Sequence, residues 1–200
     1  MNKKLKMLST KNDMKSFLGE YPIIAGSIRL TNNCNLHCPH CYTDGGKALQ
    51  NELNLNEIKS VIDQLSELKA LYLFFTGGEP FTRKDIIEIL QYTNQKNIGI
   101  SLSTNGQLLN QDILEKIKNI KFKLFQISLD GNSNMHDIVR GEGTGNKALK
   151  AIKLAKEVLK KNVGVGAVMM KNNCETLDGA LSEAVRQGAD IFALMFLIVT

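Results

Sequence analysis

The stretch LYLFFTGGEP at residues 71–80 runs from apolar residues straight into two glycines, an acid and a proline. Five successive apolar or aromatic residues without polar alternation predict a strand buried on both faces, as strands of parallel sheets are. Gly77 and Gly78 then allow close backbone approach, and Pro80 fixes the turn. The same order recurs along the chain. Strand-like runs stand at SIRLT (27–31), GISLST (99–104), LFQISL (124–129), VGVGAVMM (163–170) and IFALMFL (191–197).

Between these runs the apolar period changes from two to about 3.6, the mark of a helix with one buried face. Ile58, Val61, Ile62, Leu65 and Leu68 follow candidate caps Asn54 and Asn56. Ile86, Ile87 and Leu90 follow Thr82, and Ile113, Leu114 and Ile117 follow Asn110. Ala148, Leu149, Ile152, Ala155 and Leu159 follow GEGTG, and Leu177, Leu181, Ala184 and Val185 follow Asn173. Six strands alternating with five helices predict an α/β fold with a parallel sheet. The loops TGGEP, STNG, SLDG and MKNN all leave the carboxyl ends of strands, where such folds gather their chemistry. One shared rim is therefore expected.

The loop after the first strand is CNLHCPHCY, residues 34–42. Four cysteines in a chain with no secretory h-region argue against a disulfide framework and for a metal or redox site. Cys34, Cys38 and Cys41 are spaced C-x3-C-x2-C. Three thiolates can hold three irons of a 4Fe-4S cluster and leave the fourth iron open to a small molecule. Tetrahedral zinc is the competing reading, with His37 or His40 as fourth ligand. The spacing favours the cluster, because structural zinc sites usually pair two such knuckles and the only other thiol is Cys174.

With these motifs in order, the chain resembles the radical S-adenosylmethionine (radical SAM) superfamily, and its SPASM-type peptide-modifying subgroup. CNLHCPHC looks like the superfamily signature, TGGEP like its second motif, and SLDG followed by HDIVRG (136–141) like the subgroup. The likeness runs from about Ser27 onward. Its departure is His40, where the family usually has Tyr or Phe. The resemblance implies a partial (β/α)6 barrel with a 4Fe-4S cluster on Cys34, Cys38 and Cys41. S-adenosylmethionine would chelate the open iron, and one electron would cleave it to a 5′-deoxyadenosyl radical that abstracts hydrogen from a substrate.

The same resemblance assigns the cofactor to His40, Gly77, Gly78, Glu79, Pro80, Asn105, Ser128 and Arg140. The Gly77–Pro80 turn and Glu79 would meet the methionine amino group, Ser128 the ribose, and Arg140 the carboxylate by a bidentate pair. His40 would pack on adenine, and Asn105 is either a turn residue or a site-facing amide. A valine at Gly78 is expected to spare the cluster and weaken cofactor binding. Asp130 stands near the substrate or is structural. His136 and Asp137 order the loop that carries Arg140, Cys174 makes a small contact at a helix start, and Met169, Met170 and Met195 fill the core.

Net charge is +5, and residues 1–15 hold five lysines against one aspartate. Residues 1–25 read as a basic lead-in and 26–200 as the core domain, truncated after its sixth strand. No aromatic residues interleave with the tail charge, so no nucleic-acid partner is expected. The longest apolar run, 191–199, is too short to span a bilayer, so no membrane partner and a cytoplasmic location are expected. A peptide or protein substrate and an external flavodoxin- or ferredoxin-like reductant are the partners the resemblance implies. The alternative is a catalytically idle fragment or partner-dependent module that holds a cluster or zinc.

Overall fold

The computed structural model describes residues 24–196. The N-terminal lysines and the last residues of the predicted sixth strand lie outside them. Six strands, β1 (Ala25–Arg29), β2 (Tyr72–Thr76), β3 (Gly99–Thr104), β4 (Phe122–Ser128), β5 (Val163–Met169) and β6 (Ile191–Phe196), form one sheet in sequence order. Every neighbouring pair is parallel, with β1 and β6 at the edges. This is the parallel partial barrel that the alternation predicts.

The helices are α1 (Leu55–Glu67), α2 (Ile86–Gln95), α3 (Gln111–Ile117), α4 (Ser133–Arg140), α5 (Thr144–Leu159) and α6 (Leu177–Arg186). Asn54 caps α1 through a capping box with Glu57, which satisfies two of the first turn's free N–H groups reciprocally. Asn110 caps α3. Thr82 does not cap α2. It closes a 3-10 turn, Pro80–Thr82, and Asp85 takes the cap position without a side-chain bond. The sixth helix, α4, corrects the reading of residues 133–140 as a loop. Its buried residues are His136 and Val139, while Ile138 faces solvent, so its apolar period is absent.

The two faces of the sheet differ. Leu73, Phe75, Ile100, Leu102, Phe125, Ile127, Val163 and Val165 point outward into one core with Ile58, Ile62, Ile89, Leu90, Leu114, Ile117 and Ile152 from the helices. Each such burial contributes about 1.5–3 kcal/mol. The residues that alternate with them include Phe74, Ser101 and Leu124 in one row, then Ser103, Gln126 and Gly164 in the next, with Ser128 beside Gly166. The inner face is thus mixed, with Phe74 of β2 only partly buried where burial on both faces was expected. Gln126 fills the space that Gly166 leaves: a Cβ on Gly166 would stand 2.1 Å from Gln126 Nε2.

Candidate functional site

The cysteine loop leaves β1 through Thr31–Asn33 and is pinned at its root. Cys34 N–H donates to Gly46 O (2.9 Å) and Gly46 N–H to Asn32 O (2.9 Å), so the segment returns to its own start. Glu52 closes the clasp, its carboxylate accepting from Thr31 Oγ1 (2.9 Å), Asn32 N (2.7 Å) and Leu49 N (2.9 Å). Burial pushes the Glu52 carboxyl up, and these three donors with Arg83 bring it below the usual carboxylate range.

Gly77 and Gly78 press on that root. Gly78 N–H donates to Thr31 O (2.7 Å) and Glu79 N–H to Asn33 O (2.8 Å). A Cβ on Gly77 would meet Thr31 O at 2.5 Å, and one on Gly78 would meet Asn33 O at 2.4 Å. The close approach the glycines permit is therefore to the backbone just before Cys34. Gly78→Val is then expected to lose the cluster together with cofactor affinity, read as iron content after reconstitution, and not to spare the cluster as the sequence suggested.

Glu79 is fully buried behind this turn. Its carboxylate accepts from Phe81 N (3.1 Å), Thr104 Oγ1 (2.8 Å) and Asn105 N (2.7 Å), and burial, only partly offset by these donors, pushes it up. All three of these donors come from the protein around it, two on Oε1 and one on Oε2. Pro80 is likewise buried and starts the 3-10 turn. Neither residue is among those lining the pocket described next; Glu79 ties the turn after β2 to the end of β3 through Thr104 and Asn105.

The pocket opens at the carboxyl rim and encloses about 740 Å³, counting its mouth. Cys34, Cys38, Cys41 and His40 form one wall, Thr76, Gly77 and Gly78 the next, then Ser103, Thr104 and Asn105, then Ser128 and Arg140, and finally Val168 and Met195. Asn105 is a tie between walls: its Nδ2 donates to Asn35 Oδ1 (2.9 Å), and its Oδ1 accepts from Gln107 N (3.0 Å). Met195, expected in the core, is half exposed on the pocket wall. Cys174 is exposed, its Sγ near Lys171 O at 3.5 Å, and is not on this wall.

The three thiols differ. Burial pushes Cys34 and Cys38 up. Burial also pushes Cys41 up, but hydrogen bonds from Thr43 Oγ1 (3.2 Å), Gly45 N (3.3 Å) and the Thr43 backbone bring it below its ordinary value. Among the described residues, no three His, Cys, Asp or Glu side chains gather closely enough to share a single ion. A cluster that takes one iron per sulfur makes no such demand.

Arg140 ends α4, with its Nε donating to Asp130 Oδ2 (2.5 Å). His40 Nε2 lies 3.3 Å from the same oxygen. Burial pushes Asp130 up, yet the bond from His40 and the Arg140 charge hold its carboxyl well below the usual range. His136 accepts from Asp130 N–H at Nδ1 (3.0 Å), and burial with the Arg140 charge holds its imidazole down at about 4. Asp137 accepts from Gly143 N (2.8 Å) and Gly145 N (2.7 Å), fastening the start of α5. His136 and Asp137 are thus ordering groups, as expected, though on a helix and not a loop.

A parallel partial barrel with three thiols lining a pocket on its carboxyl rim defines a cluster-bearing enzyme class. The chain belongs to the radical SAM superfamily, whose family model matches residues 28–182. It is 32% identical over 163 residues to the mycofactocin maturase MftC of Mycolicibacterium smegmatis, covering 81% of this chain and 42% of that protein. It is 33% identical over 177 residues to the AdoMet-dependent heme synthase of Methanosarcina barkeri, covering 86% and 50%. In fold it is similar to Streptococcus suis SuiB crystallised with S-adenosylmethionine, with TM-score 0.80 and 20% identity over 94% of this chain and 45% of that one. The chain thus spans half or less of these relatives' length. Members of the superfamily use a 4Fe-4S cluster and S-adenosylmethionine. No described helix is long and apolar enough to cross a membrane.

Proposed function

We propose that this domain, residues 26–200, holds a 4Fe-4S cluster on Cys34, Cys38 and Cys41 and S-adenosylmethionine in the pocket beside it, and acts on a peptide or protein side chain. The observation that carries the reading is the convergence of three thiols, the Gly77–Gly78 turn and Arg140 on one pocket. Bound together, the two groups supply a 5′-deoxyadenosyl radical by one-electron cleavage of the sulfonium, and that radical takes hydrogen from the substrate.

The chain's own residues bind and orient. With Nε engaged by Asp130, the terminal nitrogens of Arg140 are the end offered to a carboxylate in the pocket. Ser128 stands on the wall where a ribose hydroxyl would be bonded, and His40 presents a flat ring to the adenine side. Asn105 supports the loop that carries Cys34. The inner face of the barrel leaves room for a substrate group to approach from the rim. An external flavodoxin- or ferredoxin-like protein supplies the electron.

The peptide reading is supported by the MftC likeness and by the subgroup motifs SLDG and HDIVRG. The heme synthase likeness supports a second reading, a porphyrin-type substrate. Anaerobic iron and sulfide analysis of reconstituted protein, then reduction with S-adenosylmethionine and assay for 5′-deoxyadenosine, tests the shared chemistry. Four irons with deoxyadenosine are expected, and Cys34→Ala is expected to lose the iron. Zinc without iron would sink the assignment.

A further inference from the structure

Asp130 is fully buried, lies outside the pocket lining, and spends every short-range interaction on the protein. Its Oδ1 accepts from Val168 N on β5 (2.7 Å), and its Oδ2 accepts from Arg140 Nε on α4 and faces His40 Nε2 in the cysteine loop. Its backbone N–H is held by His136 Nδ1, and its carbonyl accepts from Asn173 Nδ2 (2.7 Å), which also donates to Val168 O (2.8 Å). A buried ionised carboxylate needs an opposite charge and hydrogen-bond donors, and Asp130 has Arg140, His40 and the Val168 N–H.

The three side-chain partners come from three different walls of the pocket. All three partner residues, Arg140, His40 and Val168 (through its backbone N–H), themselves line the pocket. An arginine has many rotamers, and one gripped at Nε loses them before a ligand arrives, which lowers the ordering cost of binding. We infer that Asp130 is a positioning residue for Arg140, anchoring it beside His40 so that the arginine's terminal nitrogens meet the cofactor's carboxylate. This rests on the proposed cluster and cofactor reading of the same pocket.

The test uses full-length, cluster-loaded protein and two ligands, S-adenosylmethionine and its decarboxylated analogue, measured by calorimetry under anaerobic conditions. Asp130→Asn is nearly isosteric and keeps an acceptor for Val168 N. It is expected to retain full iron content while losing roughly 10- to 100-fold in affinity for S-adenosylmethionine, the usual loss when an outer partner of a binding group is removed. Affinity for the decarboxylated analogue should change by less than about twofold, because no carboxylate is left for Arg140 to meet. Combined with Arg140→Met, Asp130→Asn should add nothing further. Equal losses for both ligands, or additive losses in the double variant, would overturn the role.

Arg140→Lys keeps the charge but has no Nε to grip, so it should bind as weakly as Arg140→Met. This second variant decides the matter if Asp130→Asn fails to fold, and near-native binding by it would also overturn the role. Wild-type protein that binds neither ligand would defeat the cofactor reading itself, which separates that failure from failure of the Asp130 role.

Discussion

The two faces of the sheet are made by the same strands and obey different rules. Facing out, Leu73, Phe75, Leu102, Phe125 and Ile127 are wholly buried against helices. Facing in, their neighbours are Phe74, Thr76, Ser101, Ser103, Leu124, Gln126 and Ser128, and all six strands deliver a residue or a following loop to the pocket. The outer face carries the stability, and the inner face mixes small, polar and apolar residues around the space where ligands enter. One alternation of side chains separates the two tasks.

The largest effect expected from breaking this division is on the outer face. Phe125→Ala should cost about 3–5 kcal/mol in urea unfolding, since the ring is fully buried in the main core. Next comes the rim network at the ends of the inner positions. His136 sits at about 4 in the folded protein, below its ordinary unfolded value, so the unfolded chain takes up a proton first as pH falls. The His136 contribution should be flat above about pH 6.5, fall by up to roughly 3 kcal/mol toward pH 4, and level off below it, where protonation of the lowered carboxylates of Glu52 and Asp130 takes over. Replacing His136 with Gln should flatten that part of the pH profile, measured by thermal unfolding across the range.

On the inner face, Gly166→Ala should cost about 1–3 kcal/mol, because the new methyl meets Gln126 at once. Shortening Gln126 to Ala in the same protein should recover most of that loss, and additive costs would show that something other than this contact sets the penalty. The smallest stability effect is expected for Ser103→Ala, a pocket-wall serine, at no more than about 0.5 kcal/mol. A large loss there would mean that the inner face, too, carries the fold.

Sheet and helices were legible in the sequence to the extent that apolar period reports burial. β3 was readable to the residue, and the caps Asn54 and Asn110 stood where the pattern began. α4 was not legible, because its buried side is a histidine and a valine and its apolar Ile138 faces water. A signal did exist in Asn132, whose side chain caps Met135 N. At the site, the cysteine spacing and the glycine pair could be read from the chain because each motif is local. The inward turn of Glu79 and the hub at Asp130 could not, since their partners lie 26, 38 and 10 residues away on other elements. Distance along the chain, not weakness of the interaction, hid them.

The clasp at the root of the cysteine loop has a thermodynamic consequence. Because Asn32, Cys34 and Gly46 meet through backbone bonds and Glu52 locks the junction, the ends of the ring from 32 to 46 are closed by contacts that need no iron. The loop-closure entropy is then spent in folding the apoprotein, and cluster insertion has to order only the span between two fixed ends. Metal loss should accordingly raise hydrogen exchange within that ring and leave the amides of β2 to β5 protected, a local opening with the barrel intact.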